Sequence, residues 1–254
     1  MIYTETGHVV TNQPIIGIRN VARFENLDSV SPVQGSFPGM EVTTPVTYGG
    51  WVPQSSPATL SYTGLSGGLD FMGIAAHTLG SEGASVQLTI GTDVIGTISP
   101  VSDEPIMWMF NARDEATAQV EVTFSGDSPL ICVVYIGRRI TMPHNIYGGV
   151  APPQLNPITA RRPQLSESGK ILGRRAIRKG VEANFTFEHL DPAWVRSTFQ
   201  EFVDLEAETP FFFAWRPLSY PEEVSYLQTS QDVSVVNSGV AGLMTATIDA
   251  EGVG

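Results

Sequence analysis

The chain of 254 residues has little charge, almost no lysine and a single cysteine. Charged residues make up 16% of it, against roughly 25% in an average soluble domain. Lysine occurs only at Lys170 and Lys179. Because the helices of a bundle need charged outer faces, this composition disfavours a helical bundle. The 25 glycines and 18 prolines instead favour a β-rich chain with many turns.

The single cysteine, Cys132, excludes an internal disulfide and a thiolate metal cluster. It lies in the longest apolar run, Leu130–Ile136, which has the length of a strand. A membrane-spanning helix needs roughly 18 apolar residues, so we expect no membrane span. Met1–Thr11 lacks the basic start and apolar stretch of a secretory signal.

Charge is distributed unevenly along the chain. Residues 1–137 hold 13 acidic and 3 basic side chains, and residues 181–254 hold 12 and 2. Residues 138–180, the basic belt, hold 9 basic side chains and one acid, Glu167. The belt is either a solvated loop, a surface that meets an acidic neighbour, or a nucleic-acid contact. The net charge of −12 and the scarcity of aromatics among its basic residues disfavour nucleic acid, so we expect no specific nucleic-acid binding.

Alternation of polar and apolar residues predicts strands in the first block. Ser85–Ile90 and Gln119–Phe124 alternate strictly, as half-buried strands do. Further short candidates lie between turn residues, at spacings typical of a sandwich. They are Ala58–Thr63, Leu69–Ala75, Asp93–Ile98 and Ile106–Phe110. Leu130–Ile136 is apolar throughout, which predicts a central strand covered on both faces. Residues 23–140 are therefore predicted to form a β-sandwich or jelly roll.

Prolines predict an extended linker over residues 141–165. Five of them lie between Met142 and Pro163. Proline lacks the amide donor that a helix interior or a central strand requires. We therefore expect this stretch to run along a surface between two domains.

Residues 166–254 predict one helix packed on a sheet. Alternating apolar residues predict a strand over residues 181–187. Asp191–Pro192 is typical of a helix start, and Thr209–Pro210 of a helix end. The strands predicted after the helix are Phe211–Trp215, Val224–Leu227, Val233–Val236 and Leu243–Ile248. The predicted fold class is mainly β, a sandwich followed by an α+β sheet domain with one helix.

One catalytic motif occurs in an unsuitable context. Gly64–Gly68 fits the G-x-S-x-G pattern around Ser66, but a nucleophile elbow is followed by a helix and Leu69–Ala75 predicts a strand. We interpret the motif as a hairpin turn, and a hydrolase that uses Ser66 is the least favoured hypothesis. The four histidines lack metal-ligand spacing. We expect no catalytic residue, no metal and no cofactor.

Three aromatic residues of the first block are candidates for glycan contact. Tyr48, Trp51 and Tyr62 carry rings on which the apolar face of a sugar packs. Such rings serve a hydrophobic core equally well. Both interpretations stay open at this point.

Five segments carry a resemblance to a known family. They are His77–Val86, Ser166–Arg174, Asp191–Arg196, Thr209–Pro217 and Tyr220–Tyr226. The last four resemble segments of tail-tip (minor tail) proteins of long-tailed bacteriophages. The first is similar to a segment of the β-sandwich in the same proteins. The distal tail protein is the nearest functional analogue.

The resemblance implies a structural virion protein and no enzyme. Distal tail proteins form a ring, commonly a hexamer, that joins the tail tube to the central hub or baseplate. The implied architecture is a tail-tube-like ring domain over residues 166–254 and a peripheral sandwich similar to carbohydrate-binding modules. Residues 1–22 are then an N-terminal arm, of which Ile15–Arg19 returns to complete the sheet of the ring domain.

The implied partners are further copies of the chain, the tail tube protein, the hub and other tail-tip proteins, and a glycan of the host surface. The implied location is the tail tip of the virion, after synthesis in the host cytoplasm. The basic belt would then face an acidic surface of the next subunit or of an adjoining ring. Its candidate interface residues are Arg138, Arg139, Arg161, Arg162, Arg174, Arg175, Arg178 and Lys179.

An alternative function stays open beside the ring. In it, the sandwich is a carbohydrate-binding module that contacts the host surface, and the C-terminal domain only anchors it to the tail.

Overall fold

A computed structural model describes residues 1–34, 39–146, 148, 150–239 and 242–253. Within these ranges the chain forms three β-sheets and one helical segment. The strands are β1 (Ile2–Thr4), β2 (Ile15–Gly17), β3 (Leu27–Val30), β4 (Ala58–Tyr62), β5 (Leu69–His77), β6 (Ser85–Ile90), β7 (Asp93–Ile98), β8 (Ile106–Arg113), β9 (Ala118–Thr123), β10 (Ile131–Gly137), β11 (Ile140–Thr141), β12 (Pro157–Leu165), β13 (Ile171–Leu190), β14 (Phe211–Ala214), β15 (Val224–Thr229), β16 (Ser234–Asn237) and β17 (Met244–Val253). The helical segment consists of α1 (Pro192–Trp194), a π-helical turn (Val195–Phe199) and α2 (Gln200–Leu205).

Two of the sheets form the sandwich. The five-stranded sheet has the order β3-β4-β9-β6-β7, and the four-stranded sheet has the order β1-β8-β5-β10. Strict alternation on β6 buries Val86, Leu88 and Ile90 between the two sheets. The predicted class, a mainly β chain with a sandwich and a sheet domain that carries one helix, is confirmed.

The third sheet has eight strands and draws on both ends of the chain. Its order is β11-β2-β14-β15-β17-β13-β12, with β16 beside β17. Residues 1–22 are divided between the sheets. Strand β1 pairs in parallel with β8 of the sandwich, whereas β2 lies between β11 and β14 of the eight-stranded sheet.

The four-stranded sheet is covered on both faces. On β8, Trp108 points into the sandwich core, while Met107 and Met109 point to the eight-stranded sheet. On β14, Phe212 packs against this outer face, and Phe213 points the other way to the helical segment. The molecule therefore stacks as sheet, sheet, sheet and helix, and the sandwich shares a buried apolar face with the C-terminal sheet.

Glycines on facing sheets make room for aromatic rings. A Cβ atom built on Gly73 of β5 would lie 2.4 Å from Cε2 of Phe212. A Cβ atom built on Gly17 of β2 would lie 2.5 Å from Cε2 of Phe71. Each sheet thus inserts a ring over a glycine of the other, which lets the two backbones approach closely.

The helical segment begins where the sequence predicts. Asp191 Oδ1 accepts hydrogen bonds from the backbone amides of Ala193 and Trp194, at 2.7 and 3.0 Å, and Pro192 occupies the first turn. The segment ends at Leu205, earlier than the predicted end at Thr209–Pro210. Its buried aromatic side chains pack on the far face of the eight-stranded sheet.

The predicted linker over residues 141–165 is too long. Strand β12 starts at Pro157, inside that stretch, and pairs with β13. Proline is tolerated there because β12 lies at the edge of the sheet, where a missing amide donor breaks no ladder. Between the end of β11 at Thr141 and the start of β12 at Pro157, the described residues join no sheet as a strand.

Candidate assembly interface

Half of β13 extends beyond the sheet. The strand pairs with β17 along Val181–Leu190, whereas Ile171–Gly180 pairs with β12 alone among the described residues. Residues 157–180 therefore form a two-stranded antiparallel ribbon. At about 3.3 Å per residue, this ribbon projects roughly 30 Å from the sheet.

The ribbon concentrates positive charge. It contains seven basic residues and one acid. Six of the seven have exposed side chains, namely Arg161, Arg162, Lys170, Arg174, Arg175 and, at the base of the ribbon, Lys179. None of the ion pairs found in the described part of the chain involves the ribbon. The charges of its six exposed basic side chains are therefore available to another molecule.

The register of the ribbon places like charges together. Arg162 lies directly opposite Arg175 in the antiparallel ladder, so the two side chains share one face. Like charges directly opposite each other destabilise a strand pair. Near the tip, Ile171 and Leu172 are exposed by 79% and 69%. Both features favour a ribbon that is covered by a partner.

Three further predicted interface residues have different outcomes. Arg138 is exposed at the end of the sandwich. Lys179 is exposed at the base of the ribbon, where it enters the sheet. The side chain of Arg178 lies outside the part of the chain that the structure describes.

Arg139, another predicted interface residue, is engaged within its own chain. Its Nη1 donates to the backbone oxygen of Asp70 at 3.0 Å, and its Nη2 donates to Nε2 of His8 at 3.1 Å. The Asp70 carboxylate lies 3.8 Å away. Burial raises the pKa of the Asp70 carboxyl, and the Arg139 guanidinium opposes that rise. Arg139 therefore neutralises an internal carboxylate and offers little charge to a partner.

The predicted glycan platform is not assembled. Trp51 and Tyr62 are 0% and 1% exposed and pack in the sandwich core. Burial raises the pKa of the Tyr62 phenol. Tyr48 alone of the three is exposed, by 82%. The structure therefore corrects two of the three glycan-contact residues to core residues.

A groove that the sequence did not predict lies at the seam between the sandwich and the C-terminal sheet. It has a volume of about 650 Å³ and is lined by residues 45–48, the chain after the helical segment (206–210), and parts of β15 and β17. An adjoining pocket of about 410 Å³ shares Pro45, Glu208 and Thr209 with it. We call the two together the seam groove.

Tyrosine hydroxyls fix the walls of the seam groove. Tyr226 donates to the backbone oxygen of Pro45 at 2.8 Å, and Tyr135 donates to that of Pro210 at 3.2 Å. The two hydroxyl oxygens lie 3.3 Å apart. These bonds tie the loop of the sandwich and the chain after the helical segment to one buried pair of rings.

The catalytic motif is a loop, as the sequence indicates. Gly64, Gly67 and Gly68 have φ angles of 71°, 94° and 71°, which suit a turn, and β5 follows instead of a helix. His77 lies at the end of β5 and is buried. Its Nδ1 accepts from the amide of Leu79 at 3.2 Å, and its Nε2 lies 3.0 Å from the backbone oxygen of Glu104.

The described residues contain no group of three or more histidine, cysteine, aspartate or glutamate side chains placed to hold a metal ion. Across the same ranges, no helix is both long enough and apolar enough to cross a membrane.

Comparisons with known proteins give weak similarities. No protein-family model matches the sequence, and no curated protein matches it. A chitosan-binding module from a chitosanase/glucanase of Paenibacillus sp. IK-5 is 13% identical with a TM-score of 0.39, over 47% of this chain and 99% of that one. The structure of SpGH29 is 13% identical with a TM-score of 0.40, over 47% of this chain and 28% of that one.

A third solved structure, a truncated AlyQ with CBM32 and alginate lyase domains, is 12% identical with a TM-score of 0.37. The similarity covers 67% of this chain and 54% of that one. Similarities of this size establish neither a family nor a ligand.

Proposed function

We propose that the chain is a structural subunit of a larger assembly and that the ribbon joins it to a neighbouring subunit. The projecting ribbon with its unpaired exposed arginines is the observation that carries this proposal. The resemblance of five segments to tail-tip proteins supports a more specific form of it. In that form, the assembly is a ring, a hexamer by analogy, that joins the tail tube of a long-tailed bacteriophage to its hub.

The physical argument starts from the cost of an uncovered ribbon. An isolated two-stranded ribbon is marginally stable in water at best. Here the facing pair Arg162 and Arg175 adds repulsion, and Ile171 and Leu172 leave apolar surface in water. An acidic partner surface relieves the repulsion and buries the apolar tip. The ribbon is therefore more stable in an assembly than in the free chain.

A second copy of the chain supplies such a surface. The chain has 26 acidic residues, and the ribbon contains only Glu167. A contact in which the ribbon of one copy meets a different surface of the next is heterologous. Heterologous contacts close into rings or extend as filaments, and a closed ring suits a position at the end of a tail tube. The proposal gives the chain no catalytic step.

Charge reversal on the ribbon tests the proposal. We expect Arg174→Glu with Arg175→Glu to weaken self-association at least about tenfold, because two attractive contacts become repulsive. The measurement is sedimentation velocity of the full chain over a concentration series, at salt of about 0.1 M and about 1 M, where the Debye length falls from about 10 Å to about 3 Å.

The matched control reverses two charges away from the ribbon, Arg196→Glu with Arg216→Glu, and changes the net charge by the same amount. We expect it to associate like the unmodified chain. Equal association of the ribbon variant and this control would overturn the proposal.

A second candidate function is glycan binding by the sandwich, with the C-terminal domain as an anchor. The exposed ring of Tyr48, on a sandwich loop at the seam groove, favours it. We expect Tyr48→Ala to weaken binding to any glycan captured from an array by about tenfold, since the ring gives the sugar its apolar contact. Val46→Ala, an exposed change on the same loop, is the control. Binding that survives Tyr48→Ala, or an array without a captured glycan, would refute this candidate.

A further inference from the structure

The helical segment ends with the wrong sign of charge for its own stability. The carboxyl end of a helix carries partial negative charge and favours lysine, arginine or protonated histidine. Here the last turn has no basic residue, and Asp204, Glu206 and Glu208 follow one another in and just after it. The negative potential of the helix end and that of three carboxylates therefore add at one place.

These carboxylates line the seam groove. Glu206 and Glu208 lie on one wall and Glu251 on another, while Asp204 and Glu25 line the adjoining pocket. Lys179 and Arg23 are the basic side chains among the lining residues that the structure describes. The groove is therefore acidic on balance.

Glu206 gives an independent sign that a donor is missing. The residue is 5% exposed. Its Oε1 accepts a hydrogen bond from the amide of Val233 at 3.0 Å, but its Oε2 is buried without a partner among the described residues. Buried carboxylate oxygens are normally satisfied, because an unpaired one loses its hydration without compensation. A cationic donor brought to the groove would lower this cost.

We propose that the seam groove receives arginine side chains from the ribbon of a second copy. This inference rests on the proposed function and adds the surface on which the ribbon docks. Arginine suits the groove because its planar guanidinium presents five donors and binds carboxylates through paired hydrogen bonds. Each copy of the chain has one basic ribbon and one acidic seam groove, so every ribbon can dock in the groove of one neighbour.

The contact must form between copies. Lys179, at the base of the ribbon, lines the groove of its own chain. Arg175 and Arg174 lie four and five residues further along the extended strand, roughly 15 Å away. The paired strands of the ribbon do not fold back on themselves, so these arginines reach a groove only on a neighbour. The neighbour's ribbon then points onward, which gives a head-to-tail arrangement.

A charge-swap series on the full chain tests the docking surface. The groove variant is Asp204→Lys with Glu208→Lys, which changes two exposed residues and leaves buried Glu206 intact. The ribbon variant is Arg174→Glu with Arg175→Glu. By sedimentation velocity we expect each variant to associate at least about tenfold more weakly than the unmodified chain. A one-to-one mixture of the two variants restores association, because each acidic surface again meets a basic one.

The control Asp114→Lys with Glu115→Lys reverses two exposed acids on a sandwich loop and is expected to leave association unchanged. If the unmodified chain does not associate, the proposed function itself fails. If it associates through the ribbon, but the groove variant is unaffected or the mixture does not recover, the ribbon docks elsewhere and this inference is overturned. Binding of a glucosamine oligomer that the groove variant loses, with unchanged association, would assign the groove to a cationic sugar and also overturn it.

Discussion

Replacement of Phe212 by alanine is expected to destabilise the chain by about 3–5 kcal/mol, the usual cost of deleting a buried aromatic ring. The ring is fully buried between the four-stranded and eight-stranded sheets. It packs against Tyr226 and Tyr135, with ring centroids 4.9 and 5.4 Å away, and lies over Gly73. Urea unfolding followed by circular dichroism and tryptophan fluorescence measures the loss.

A double-mutant cycle identifies the glycine contact as the cause. Gly73→Ala alone places a methyl group against the Phe212 ring and is expected to destabilise the chain by about 1–3 kcal/mol. In the Phe212→Ala background the same methyl group enters the vacated space and costs less. We expect a coupling energy of at least about 1 kcal/mol. Additive effects of the two substitutions would show that the sheets do not interlock at this position.

Acidification is expected to remove up to about 3 kcal/mol of stability through His77. Burial lowers the pKa of its imidazole to about 4, against about 6.5 in an unfolded chain. The folded state thus favours the neutral ring, which accepts from the amide of Leu79. The resulting stabilisation is complete above pH 6.5, falls as the pH decreases, and is gone near pH 4.

Urea midpoints measured between pH 7 and pH 4 test this expectation against two variants. His77→Asn retains an acceptor for the Leu79 amide but does not titrate in this range. It is expected to lose about 3 kcal/mol less than the unmodified chain over the same interval. His144→Gln, at an exposed position, is the control and is expected to follow the unmodified chain. Parallel curves for all three proteins would contradict the role given to His77.

The strands of the sandwich are predictable because burial of one face of a strand produces an alternation of polar and apolar residues in the sequence. Ser85–Ile90 and Asp93–Ile98 have the predicted bounds. Leu130–Ile136 was expected to be central and covered on both faces. Its strand, β10, is indeed buried on both faces, because other sheets stack on either side of it. It is nevertheless the last strand of its own sheet, since burial of both faces does not require a hydrogen-bonded strand on each side.

The sequence of the ribbon shows no such alternation. Hydrophobic periodicity reports burial and not hydrogen bonding, and none of the ribbon side chains that the structure describes is buried within the chain. The prolines of its first strand, Pro157 and Pro163, therefore favoured an extended linker, which was predicted to end at residue 165. The seam groove was equally unpredictable, because its walls come from distant parts of the sequence, residues 45–48, 206–210 and 226–229.

Two of the candidate site residues, Tyr62 and Arg139, are engaged inside the fold for local reasons. Tyr62 shares its strand parity with Ala58 and Leu60, and this face of β4 points into the core. The alternation along β4 therefore indicates that Tyr62 is buried together with Ala58 and Leu60. Arg138 and Arg139 are adjacent in sequence, and only the position of Asp70 in the fold distinguishes the exposed residue from the paired one.

The most direct test of assembly through the ribbon is the solution mass of the full chain, measured by light scattering at low and at high salt. We expect an oligomer of defined stoichiometry at low salt that dissociates as the salt concentration rises, because the contacts are between a basic ribbon and an acidic groove. A monomer at every concentration and in both salts would contradict the account.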